Sequence, residues 1–100
     1  VTATSGSGPA YFFAFVEAMV EGAVALGLSQ EDATTLTIQT IVGAAALLET
    51  SGDSPTTLRE KVTSPNGTTA AALASFNQSG LKAIVAQAMS AAAKRSQELA

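Results

Sequence analysis

The chain of 100 residues contains no cysteine and no histidine. Without Cys there is no disulfide framework and no thiolate metal site, and nothing points to an oxidising compartment, so a cytoplasmic location is expected. Without His, the usual zinc ligand and the usual general base are both missing, and no metal site is assigned. Charge is also scarce. Charged residues make up 13% of the chain, where typical domains carry about a quarter. The basic residues are Arg59, Lys61, Lys82, Lys94 and Arg95, scattered but for the last pair, and the net charge is −3. A nucleic-acid backbone needs a positive stripe, and none is present, so nucleic acid is excluded as a partner. Apolar residues reach 47%. A small domain this poor in charge has trouble covering itself with a polar surface. Part of its apolar surface is therefore expected to be buried against another chain.

No segment alternates apolar and polar residues as a half-buried strand would, and no repeat of fixed period appears. The periodic segments are helical throughout. Val1 to Gly8 is Thr, Ser and Gly without periodicity and reads as a linker. Pro9 suits the first turn of a helix, where its missing N–H costs nothing. From Ala10 to Leu26 the only charges are Glu17 and Glu21, one helical turn apart. The rest, including Tyr11, Phe12, Phe13, Phe15, Val16, Met19, Val20 and Val24, is apolar nearly all round, as in a buried helix. At about 18 residues it is borderline for a membrane span, but two carboxylates near its middle would be costly in lipid. No membrane association is expected.

Gly27 closes this helix, and Ser29 with Asp32 three residues on caps a second one reaching about Thr50. Ser54 and Pro55 start a short third helix ending near Val62. The turn Thr63-Ser64-Pro65-Asn66-Gly67 leads into a fourth helix from about Thr68 to Gln78, and Gly80 separates it from a fifth, Leu81 to about Leu99. The fold class is all-α, a bundle of about five helices, with residues 1–8 as linker and 9–100 as the helical domain. The chain opens on Val1 without Met, which points to a segment of a longer protein, and no basic, apolar secretion leader can be read in it.

Three motifs bear on chemistry. Gly6-Ser7-Gly8 has the start of a dinucleotide fingerprint, but position 11 is Tyr rather than Gly and no strand precedes it. Glu17 and Glu21 form a carboxylate pair, for which an exposed or interface stripe is the plainer reading than catalysis. The third is the turn from Ser64 into the helix at Thr68. The first N–H groups of a helix lack internal partners and carry the positive end of its dipole. With the hydroxyls of Ser64, Thr68 and Thr69 beside them, they make a neutral anion site for a carboxylate or phosphate, which Gly67 lets come close. The bland alternative is that Thr68 or Thr69 caps the helix and nothing binds. On the residues alone the cap is the commoner reason for such a pattern.

From Pro55 to Asn77 the chain resembles the signature segment of the pyrroline-5-carboxylate reductases. Pro55, Leu58, Val62-Thr63-Ser64, Asn66-Gly67, Thr69, Ala72-Leu73 and Phe76-Asn77 fall at that family's spacing. The opening Ser5-Gly6-Ser7-Gly8-Pro9-Ala10-Tyr11 and the closing Ala93-Lys94-Arg95-Ser96-Gln97-Glu98-Leu99 are similar to the ends of the family's C-terminal domain. The resemblance covers essentially the whole chain. It implies an enzyme reducing Δ1-pyrroline-5-carboxylate to L-proline with NADPH or NADH, in proline biosynthesis. It also implies an N-terminal Rossmann domain, absent from this chain, and an interlocked helical homodimer that assembles further into decamers. In the family the substrate carboxylate lies at the turn matching Ser64 to Thr69, with Ser64 and Thr69 matching by side chain and Gly67 and Thr68 by backbone N–H. No catalytic residue is assigned. Asn66 stands where many relatives have Gly, and Ala14 where some have Thr, so the resemblance supplies no hydroxyl to protonate the imine nitrogen.

Two other readings compete. A helical domain of another two-domain reductase, such as a ketoacid reductase, would bring a catalytic Lys and an acid, and the Ser64–Thr69 turn has neither. A ligand-free helical oligomerisation scaffold would leave that turn empty. With no glycine fingerprint and no ribose-binding acid after a strand, the chain by itself should not bind a nicotinamide cofactor. Calorimetric titration of NADPH into the isolated chain is expected to show no heat of binding, and micromolar affinity would overturn the domain assignment.

Overall fold

The computed structural model describes residues 1–100. Five helices follow one another without a strand: α1 (Gly8–Ala25), α2 (Gln30–Thr50), α3 (Pro55–Lys61), α4 (Thr68–Gln78) and α5 (Leu81–Leu99). The all-α expectation therefore holds element by element. No helix is long and apolar enough to cross a membrane. By internal contacts the chain divides into two compact units, Pro9–Ser54 and Val1–Gly8 with Pro55–Ala100.

In the first unit, α1 ends where Gly27 takes φ +112°. The Gly27 N–H bonds to the Val24 carbonyl at 3.0 Å and the Leu28 N–H to the Ala23 carbonyl at 3.1 Å. These two bonds satisfy carbonyls that the helix end would otherwise orphan, and the left-handed backbone they need suits a residue without Cβ. One residue later Ser29, in extended conformation, caps α2, its Oγ accepting from the Asp32 N–H at 3.1 Å. Asp32 and Glu31 then sit in the first turn, beside the positive end of the helix dipole.

The threonines of α2 matter for what that helix can bury. Thr34, Thr40 and Thr50 donate their hydroxyls to the carbonyls of Gln30, Leu36 and Ala46, at 2.7, 2.7 and 2.8 Å. Each hydroxyl is thus satisfied within its own helix. A helix that reads as Thr interleaved with Ala, Ile and Val can be covered by apolar groups at little cost in lost hydrogen bonds.

Yet little is buried. In this unit the buried residues are Val20 at 7%, Ala33 at 0% and Thr37 at 6% exposure. Phe13 is 68% exposed and Val42 61%, and Phe12, Leu36, Ile38, Leu47 and Leu48 are also open. Both helices expose apolar side chains that the unit does not enclose.

In the second unit, α5 packs against α4 and against the N-terminal segment. That segment is not the unstructured stretch its composition suggests. Thr2–Gly6 winds into a single wide turn, with the Ser5 N–H bonded to the Val1 carbonyl at 2.8 Å and the Ser7 N–H to the Thr2 carbonyl at 2.7 Å. Five residues are too few to show apolar periodicity, and the turn is supported by α5, so nothing local announces it. Arg95 and Glu98 on α5 form an ion pair at 3.7 Å, but both are largely exposed and it contributes little.

The accessible surface of the chain is 7613 Å². A folded monomer of its 10.0 kDa mass exposes roughly 5,200 Å² by the usual scaling. Obligate interfaces run to about 2,000 Å² or more, and the apolar side chains that α1 and α2 leave open call for one of that kind. Sedimentation velocity at low micromolar concentration is expected to show a dimer or larger species and no monomer. A stable folded monomer there would contradict this.

Candidate functional site

The residues from Ser64 to Ala70 span the turn between α3 and α4 and the first turn of α4, all in one unit. α3 unwinds through the Thr63 N–H, bonded to the Glu60 carbonyl at 3.1 Å, while the Thr63 hydroxyl donates to the Arg59 carbonyl. Ser64-Pro65-Asn66-Gly67 is then a β-turn closed by the Gly67 N–H donating to the Ser64 carbonyl at 3.1 Å. Pro65 occupies the second position, where its fixed φ is wanted, and Asn66 the third, with φ +60°. Asn66 is the only non-glycine residue of the chain with positive φ. After glycine, Asn is among the residues that tolerate this conformation best.

Gly67 is the N-cap residue of α4, with extended backbone (φ −86°, ψ −177°) and no side-chain capping bond. It has no need of glycine for its dihedrals. Its requirement is space, because a Cβ would sit 3.2 Å from the Ser64 carbonyl oxygen and 3.3 Å from the Ser64 Cβ. The missing side chain lets the turn fold flat against the start of α4.

This arrangement settles what Thr68 and Thr69 are not. Neither caps the helix, because both lie inside its first turn and the cap is Gly67. The first bond of α4 runs from the Ala71 N–H to the Gly67 carbonyl at 3.1 Å. The N–H groups of Thr68, Thr69 and Ala70 precede it and have no partner in the protein. Ser64 and Thr68 are exposed, and Gly67, Thr69 and Ala70 half-buried. Of the four expected residues, Ser64, Gly67, Thr68 and Thr69, the Gly67 amide is engaged in closing the turn. Ala70, which sequence reasoning did not single out, contributes a free amide instead. Its signal was its place as the third residue of the helix, not its side chain.

No group of acids and histidines is placed to hold a metal ion. Glu17 and Glu21 lie in the other unit, exposed, beside a cavity of about 280 Å³ lined also by Val16, Val20, Gln30 and Thr34. A larger groove of about 440 Å³ runs between the N-terminal turn and α5, lined by Thr2, Ser7, Ala92, Arg95, Ser96 and Leu99. It includes none of the Ser64–Thr69 turn. Enclosed volume alone would thus point away from the turn, where the partnerless N–H groups lie.

The model of the pyrroline-5-carboxylate reductase dimerisation family matches residues 1–99. The chain belongs to that family. It is 55% identical over 100 residues to a pyrroline-5-carboxylate reductase of Pseudomonas aeruginosa, covering all of this chain and 37% of that protein. The solved structure of a pyrroline-5-carboxylate reductase from Coxiella burnetii matches with a TM-score of 0.96 and 43% identity, over 99% of this chain and 37% of that one. The Plasmodium falciparum pyrroline carboxylate reductase, solved with NADP bound, matches with a TM-score of 0.93 and 36% identity, over 97% of this chain and 39% of that one. The chain thus spans little more than a third of the length of the relatives it matches. The matching family is a dimerisation domain by its description.

The backbone at Asn66 gives a specific expectation. Asn66→Gly should leave stability nearly unchanged, while Asn66→Val, forced into positive φ, should cost about 1–2 kcal/mol or flip the turn. Thermal unfolding of the two variants side by side checks this, and equal melting temperatures would contradict the turn geometry.

Proposed function

We propose that this chain is the C-terminal domain of a pyrroline-5-carboxylate reductase, which reduces Δ1-pyrroline-5-carboxylate to L-proline. In this reading the domain holds the substrate carboxylate at the start of α4 and joins its twin in an interlocked dimer, the building block of a decamer. The cofactor, NADPH or NADH, belongs to a Rossmann domain elsewhere in the full-length protein, and this chain has no glycine fingerprint that would hold it. The enzyme is cytoplasmic, as befits an amino-acid biosynthetic reductase.

The observation that carries the reading is the set of partnerless N–H groups on Thr68, Thr69 and Ala70, with hydroxyls on Ser64, Thr68 and Thr69 beside them. An anion placed there meets converging donors and the positive end of the α4 dipole, equivalent to about half an elementary charge. No Lys or Arg is needed, and none lies between Ser64 and Ala70. A carboxylate held by neutral donors is oriented without being locked in a strong ion pair, which suits a product that must leave.

The chemistry matches this inventory. The protonated cyclic imine of the substrate is already electrophilic, and NADPH or NADH supplies the hydride. What remains for this domain is to hold the ring carbon in the right place. Orientation of that kind can contribute about 7–11 kcal/mol with no acid or base from the protein. A chain without His or Cys is then no obstacle.

Thr69→Val in the full-length enzyme is the sharpest test. Losing one hydrogen bond to a charged group costs about 1.5–3 kcal/mol, so kcat/KM should fall roughly 10- to 150-fold. Since Thr69 does not cap α4, its melting temperature should hardly change. Ser64→Ala should lose a similar or smaller amount, and the two effects should not add, because both groups serve one anion. Cofactor affinity should be unaffected in both. A Thr69→Val enzyme with normal kcat/KM would remove the carboxylate anchor, leaving a ligand-free scaffold as the better account of this domain.

A further inference from the structure

We draw no further inference here: the strongest candidate, the cavity of about 280 Å³ beside Glu17 and Glu21 of α1 and Gln30 and Thr34 of α2, rests on an acidic pair alone, and nothing in the structure shows what would cover or occupy it.

Discussion

The constraint on which everything else depends is that the chain cannot enclose its own apolar surface. Nearly half its residues are apolar, yet Val20 and Ala33 are the only buried hydrophobic residues. Hydrophobic burial is the main term opposing chain entropy. Helices as open as α1 and α2 would have little to hold them together in isolation, and their exposed Phe, Ile, Leu and Val side chains are the apolar surface that is left open. The hydroxyls of Thr34, Thr40 and Thr50, turned back onto the carbonyls of their own helix, lessen the polar objection to covering α2. Membership of a dimerisation family then has a direct physical cause in the sequence.

This constraint also frames the site. A turn that holds a substrate must keep its donors fixed, and the turn before α4 is fixed locally by Pro65, by the left-handed Asn66 and by the bond from Gly67 to Ser64. Its amides are thereby aimed before any ligand arrives, which reduces the ordering cost of binding. The rigidity of the helix beneath it is another matter, since α4 is supported by α5, and Ile84 and Val85 of α5 are themselves open. In the proposed enzyme, a second copy that covered those side chains would link assembly to substrate positioning.

Much of this could be read from the residues, and the reasons are local. Gly27 with Ser29 and Asp32, and Gly80 between α4 and α5, punctuate the helices by capping and backbone rules that act over a few positions. The Ser64–Thr69 turn was equally readable as a turn into a helix start. What could not be read depended on distance in sequence or on a single residue of register. The winding of Thr2–Gly6 relies on α5. That Gly67 rather than Thr68 or Thr69 would be the cap decided between a structural and a binding role, yet it turned on one position. That the first two long helices, apolar nearly all round, bury their outer faces against a partner is an expectation from the residues, which a single chain does not test.

If the core is shared, folding and assembly are one equilibrium, and stability must depend on protein concentration. Thermal unfolding of the isolated chain from about 1 to about 100 μM measures this directly. For a dimer unfolding to separate chains, with the usual entropy per residue, the midpoint should rise by about 6 °C over that range. A midpoint independent of concentration, with a cooperative transition, would mean that a single copy supports its own fold, and the account of the open helices would be wrong.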